Sequence, residues 1–182
     1  VHAEIGTAGS IPMLLLTVLP LCAYAKSHVK LQVSKGGTDV KNAPPTNYLK
    51  YLLLPILERM GLKTSLSIRK YGYYPKGMGE ITLDVEPCKK LKPFRLEEFG
   101  TLKQVKGLSI CTFLADRGVA QRQATAANQC LRTAGLEADI QVIDDMSNLL
   151  QKGSSIVLWA ETDSGALLGG DAIGELGKPS EL

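Results

Sequence analysis

The stretch that most limits what this chain can fold into is Lys35-Gly-Gly-Thr-Asp-Val-Lys-Asn-Ala-Pro-Pro-Thr-Asn-Tyr48, which closes a strand pattern and opens a helix pattern. Gly36 and Gly37 lift the steric limits that a side chain imposes, so a phosphate or a base can approach the backbone. The rings of Pro44 and Pro45 fix φ, and each pushes the residue before it out of the helical region. Thr46 or Asn47 is placed to cap the following helix, whose N-terminus attracts anions. The spacing predicts a rigid loop with exposed backbone donors. An ordinary strand-to-helix turn has the same composition, so these residues alone leave both readings open.

Hydrophobic periodicity sets the elements on either side. Residues 1–5 read as a short strand, and Gly6-Thr-Ala-Gly-Ser10 as a turn with Ser10 as N-cap and Pro12 in the first helical turn. The helix runs to about Ala25, and residues 28–33 alternate as a strand. Beyond the loop, residues 47–60 place Leu49, Leu52, Leu53, Ile56, Leu57 and Met60 on one side of a helix, with Gly61 where a C-cap glycine belongs. A strand over 63–70, a turn over 71–79 and a strand over 80–86 complete the order β-α-β-α-β-β. Pro20 and Pro55 sit in similar contexts inside the two helices; each is expected to kink its helix, and the pair hints at an internal β-α duplication. Residues 87–93 read as a linker.

A second unit follows with the order β-α-β-β-β. It has a strand within 102–112 and a helix over 118–134 that carries Ala120, Ala124, Ala127 and Cys130 on a side suited to close packing. Strands over 136–143 and 155–162 flank a loop at 144–153, and Asp163-Ser-Gly165 makes a hairpin turn into 166–169. The fold class is α+β, in two parts, residues 1–88 and 95–182.

Composition removes several function classes. The 182 residues carry a net charge of +3 and a pI near 8.6, which permits an anionic partner without demanding one. Cys22, Cys88, Cys111 and Cys130 show no CxxC spacing and read as reduced thiols of a cytoplasmic protein, not as a zinc site. His2 and His28 are too few for a histidine-based metal site. The apolar run 11–25 is too short to span a membrane, carries Pro12 and Pro20, and lacks a basic leader, so it reads as a buried helix. The chain starts inside a strand pattern and stops as a helix pattern begins, so it is expected to be a fragment whose exposed edges favour a homo-oligomer.

Few constellations carry chemistry. No nucleophilic triad, P-loop or GxGxxG is present. Tyr73-Tyr-Pro-Lys-Gly-Met-Gly79, preceded by Arg69 and Lys70, offers tyrosines to stack on bases and cations to meet phosphates; a solvated hairpin with aromatics closing the core fits equally. Asp144 and Asp145 read as solvated loop charges, and His2 and His28 as surface residues.

Four motifs in order, Gly6-Thr-Ala-Gly-Ser10 with the LLLTVLP run, Gly36-Gly-Thr-Asp39 with Ala43-Pro-Pro45, Gly72-Tyr-Tyr-Pro-Lys-Gly-Met-Gly-Glu80, and Ala160-Glu-Thr162 with Leu168-Gly-Gly-Asp-Ala-Ile-Gly174, resemble the RNA 3′-terminal phosphate cyclase family over essentially the whole chain. The resemblance implies a β-α-β-α-β-β repeat unit like the C-terminal domain of translation initiation factor 3, and a smaller four-stranded α/β inserted domain. It implies an ATP- and Mg2+-dependent enzyme that adenylates itself on a histidine, passes AMP to an RNA 3′-phosphate, and lets the 2′-hydroxyl close a 2′,3′-cyclic phosphate. That nucleophilic histidine aligns with neither His2 nor His28, so this chain alone is expected to be inactive. Pro44 matches a proline that packs on adenine; Gly36, Gly37, Thr38 and Asp39 line the same cleft; Leu16 stands where a glutamine near the nucleotide is usual. Leu16, and Met78 in place of a glycine, imply a diverged member. The alternative is a non-catalytic cyclase-like scaffold in ribosomal RNA processing.

Overall fold

The computed structural model describes residues 1–181, which fall into two compact units, the first Val1–Arg95 and the second beginning at Leu96. Both are α+β with a mixed four-stranded sheet.

In the first unit, β1 (His2–Glu4) lies parallel to β2 (Val29–Gly36), and α1 (Ile11–Ala23) is the crossover between them. β3 (Lys63–Lys70) and β4 (Gly79–Glu86) form an antiparallel pair, and β4 inserts beside β2, giving the order β1-β2-β4-β3. Ser10 caps α1 as expected, its hydroxyl accepting from the Met13 N–H at 3.2 Å. Ile11, Leu15 and Leu19, at helical spacing, share one core with Leu31 and Val33 of β2 and with Ile81, Leu83 and Val85 of β4. The alternate residues form a polar open face. On it Lys63 meets Glu86 at 3.4 Å, His28 meets Asp84 at 3.3 Å, and Arg69 meets Glu80, while Lys30 is exposed without an ion pair among the described residues.

The second helix, α2, departs from expectation at both proline and cap. It runs as Thr46–Tyr48, a π-helical segment Leu49–Leu53, and Leu54–Arg59. The Leu54 N–H reaches back five residues to the Leu49 carbonyl, so the helix widens ahead of Pro55, which has no N–H to give. α1 stays α-helical through Pro20, so the two prolines are accommodated differently. Pro45, not Thr46 or Asn47, is the N-cap residue of α2; the Thr46 hydroxyl is already committed to the Thr38 carbonyl at 2.9 Å.

In the second unit, β5 (Leu102–Thr112) is flanked by parallel β6 (Ala138–Asp145) and antiparallel β7 (Gly153–Thr162), and β8 (Leu167–Ile173) pairs with β7. α3 (Val119–Thr133) packs on this sheet through Val119, Ala120, Gln123 and Ala124, whereas Cys130 is exposed. The small-residue side read from sequence is thus used in part: Ala120 and Ala124 are buried, Ala127 is half-buried and Cys130 is exposed. Asp144 and Asp145 are strand residues, not loop charges. Asp144 accepts from the Cys111 thiol at 3.0 Å, and Asp145 from the Thr112 hydroxyl at 2.8 Å. β8 runs four residues past its expected end, since Asp171 and Ile173 still pair with Val157 and Ser155. No helix among the described residues is long and apolar enough to cross a membrane.

Candidate functional site

Parallel strands leave their connections on the same edge, and in sheets with such pairs that edge is where ligands gather. Here the carboxyl ends of β1 and β2 launch the 6–10 loop and the 37–45 loop side by side. The Gly37 N–H donates to the Gly9 carbonyl at 2.9 Å, and the Ile11 N–H to the Gly37 carbonyl at 2.9 Å. The 71–78 turn between β3 and β4 closes against both. A Cβ on Gly72 would sit 2.4 Å from the Gly36 oxygen and 2.4 Å from the Gly79 nitrogen, so only glycine fits this three-way backbone contact. A Cβ on Gly77, at φ +69°, would sit 2.7 Å from the Thr7 oxygen.

Thr38 and Asp39 are buried at the centre of this junction. The Gly72 carbonyl accepts from both the Thr38 N–H (2.8 Å) and the Asp39 N–H (3.1 Å), while the Gly72 N–H donates to Thr38 Oγ1 at 2.9 Å. The Thr38 hydroxyl donates to Asp39 Oδ2 at 2.5 Å. The Thr38 carbonyl accepts from the Thr46 N–H and hydroxyl, each at 2.9 Å, and Asn47 Nδ2 donates to the Tyr71 hydroxyl at 3.2 Å. The donors of Gly37, Thr38 and Asp39, expected to be exposed, are therefore consumed inside the protein. Nor do Gly36 and Gly37 leave room for a ligand: a Cβ on Gly36 would meet Ile5 and Ile11 within 2.7 Å, and one on Gly37 would meet Val40 at 2.3 Å. These glycines serve the chain's own packing. What the knot holds out is the arm from Val40 to Pro44, with Asn42 exposed at φ +65° and Pro44 half-buried.

The family model for RNA 3′-terminal phosphate cyclase (RTC) matches residues 1–166. The chain belongs to the RNA 3′-terminal phosphate cyclase family. It is 42% identical over 178 residues to the RNA 3′-terminal phosphate cyclase of Pyrobaculum aerophilum, covering 98% of this chain and 50% of that protein. The cyclase of Pyrococcus abyssi is 42% identical over 182 residues, covering 100% and 52%. That of Methanopyrus kandleri is 40% identical over 185 residues, covering 100% and 52%. This cyclase-family chain spans about half the length of the curated relatives it matches.

The other residues singled out from sequence separate in space. Leu16 is half-buried against the first unit's core. Met78 adopts φ +65°, a conformation costing a side chain about 1 kcal/mol or more that glycine would avoid. Tyr73 is buried, so only Tyr74, 77% exposed, stands where a base can stack. His28 precedes β2 and lies roughly 26 Å along that strand from Gly36. His2 contacts Ser34 and Glu4 on the open face. The neighbouring Lys35 ammonium donates to Glu4 at 2.9 Å and holds its carboxyl below the usual range. Among the described residues no three His, Cys, Asp or Glu side chains converge as a metal site. An open groove of about 570 Å³ on α3, lined by Arg122, Gln129, Cys130, Thr133 and Glu181, gathers no such chemistry; its two charged walls neutralise each other at 2.7 Å.

The knot itself escaped sequence reading. Gly72 and Thr38 are 34 residues apart, and no periodicity links them. The one available signal was Gly72 inside a turn already rich in glycine.

Proposed function

We propose that these residues form one wall of the nucleotide cleft of an ATP-dependent RNA 3′-terminal phosphate cyclase. The observation that supports this reading is the family membership, joined to a loop junction at the carboxyl ends of a parallel strand pair. In the whole protein a histidine attacks the α-phosphorus of ATP and releases pyrophosphate. The RNA 3′-phosphate then takes the AMP and frees the histidine. The 2′-hydroxyl attacks the activated 3′-phosphorus, closes the 2′,3′-cyclic phosphate and expels AMP. The ribose holds its own nucleophile in place, so proximity supplies much of the rate.

Pro44 offers a rigid apolar surface that fits an adenine face, and Leu16 is assigned to the nucleotide side only by its match to the family's usual glutamine, since its side chain packs on the first unit's core. Gly36, Gly37, Thr38 and Asp39 act as the frame that fixes the arm. The N–H groups of Gly37, Thr38 and Asp39 are satisfied inside the fold, so they offer no donors to a triphosphate. Those contacts, and the nucleophilic histidine, are assigned to the other half of the protein. In this reading residues 1–88 are a repeat unit like the C-terminal domain of translation initiation factor 3, residues 95–182 are the inserted domain, and the protein acts in the cytoplasm, with self-association among its exposed edges.

Leu16 and Met78 favour a second reading, a cyclase-like scaffold in ribosomal RNA processing that has lost catalysis. The two are separated by incubating the protein, extended to the length of its relatives, with ATP, Mg2+ and a 3′-phosphorylated oligoribonucleotide. The enzyme converts the end to a phosphatase-resistant cyclic phosphate; the scaffold leaves it sensitive.

A further inference from the structure

The charges of the first unit are distributed unevenly. On the open sheet face Lys63, Arg69 and His28 have carboxylate partners, and Lys30 has none among the described residues. The strap Cys88-Lys-Lys-Leu-Lys-Pro-Phe-Arg95 is different. Its anchors alternate with its cations. The Cys88 N–H donates to the Ala23 carbonyl at the end of α1 (2.9 Å), and the Lys92 N–H to the Met60 carbonyl at the end of α2 (2.8 Å). Cys88 and Leu91 pack on the core, and Phe94 lies 4.3 Å beneath the Arg59 guanidinium. Between these anchors Lys89, Lys90 and Lys92 are exposed, and Lys26 follows α1 nearby in sequence to the Ala23 anchor. None of these four lysines has an ion pair among the described residues.

Helix C-termini favour cations, which explains one lysine per helix end. It does not explain three on a strap whose own N–H groups already satisfy the terminal carbonyls. A rigidly anchored row of solvated, unneutralised lysines fits the repeating negative charge of a nucleic-acid backbone, which gains by releasing its counterions. We propose that this strap binds the phosphodiester backbone of the RNA strand away from its 3′ end. The proposal rests on the RNA cyclase reading and extends it to a second contact. α1 has 13 residues and links the loop junction to the strap, so the two lie about 20 Å apart. A strand must be several nucleotides long to touch both.

The test is fluorescence anisotropy of a labelled single-stranded oligoribonucleotide with the 182-residue chain. It compares Lys89→Glu/Lys90→Glu/Lys92→Glu with a charge-matched control in the second unit, Lys103→Glu/Lys106→Glu/Arg132→Glu. The strap variant is expected to lose at least tenfold in affinity at low salt, and its log–log salt slope to fall by about 2 for three phosphate contacts. The control is expected to lose far less. Equal losses in both variants, or no RNA binding by the unaltered chain, overturn the proposal. Lys89→Gln/Lys90→Gln/Lys92→Gln, with a melting curve, covers the case where charge reversal disturbs the fold; it is expected to melt like wild type yet still lose affinity. Failure of the cyclase reading shows elsewhere, as absent cyclisation of a 3′-phosphorylated dinucleotide by the longer protein, a substrate too short to reach the strap.

Discussion

Replacing Thr38 with valine keeps the shape of a fully buried side chain and removes one oxygen. That oxygen accepts from the Gly72 N–H at 2.9 Å and donates to the Asp39 carboxylate at 2.5 Å. The variant leaves a buried N–H without a partner, which costs about 1–3 kcal/mol. It also removes a hydrogen bond to a charged group, worth about 1.5–3 kcal/mol. The sum is about 4 kcal/mol, a large part of a domain's stability. With a urea m-value of about 2 kcal/mol/M the midpoint falls by about 2 M. All six tyrosines lie in the first unit and the single tryptophan, Trp159, in the second, so near-UV dichroism of tyrosine reports the right transition and tryptophan fluorescence serves as reference. Thr38→Ser keeps the hydroxyl and loses one methyl, at a cost of about 1 kcal/mol. A valine variant within 1 kcal/mol of wild type, or serine as damaging as valine, would refute the claim that this hydroxyl holds the junction together.

Gly72→Ala places a Cβ against backbone on three sides, and since backbone yields poorly the loss should reach or exceed the top of the roughly 1–3 kcal/mol range for overpacking, read by the same urea titration. Burial and the Asp144 carboxylate push the Cys111 thiol up to about 11, so at pH 8 a disulfide reagent labels exposed Cys130 first and Cys111 only on unfolding. Because the folded state holds that proton more tightly, the stabilisation is complete below the ordinary thiol value of 9.0 and is lost as pH rises through about 11, which a series of melts across that window will show. Glu4 has the opposite sign: Lys35 lowers its carboxyl, so their mutual stabilisation is present above the ordinary value of 4.5 and fades as pH falls below it. Lys35→Ala should return the Glu4 titration, followed by NMR, toward that value.

Much of the fold could be read directly. β3 occupies the expected 63–70, and both element orders match, because alternating and helical periodicities are local signals. What escaped depends on contacts between distant residues. The run Gly36 to Asp39 looks like a ligand loop, but the Gly72 backbone, 34 residues on, takes its donors. Asp144 and Asp145 look like loop charges, but they close β6, where β5 brings Cys111 and Thr112 beside them although Asp144 stays exposed. Cys130 looks like part of the side that carries Ala120 and Ala124, yet it is exposed, since six residues at about 100° each turn it roughly 120° away from Ala124. The π-helical turn before Pro55 answers a missing N–H that sequence shows, but the way it is absorbed is a matter of packing.

Intact mass after incubation with ATP and Mg2+ at neutral pH separates a cleft wall from a complete adenylation site. It is run on the 182-residue chain and on the protein extended to the length of its relatives. One added AMP is expected on the longer protein and none on the 182 residues, which under the cleft-wall proposal supply no nucleophile. An adduct on the shorter chain would contradict it and point to His2 or His28.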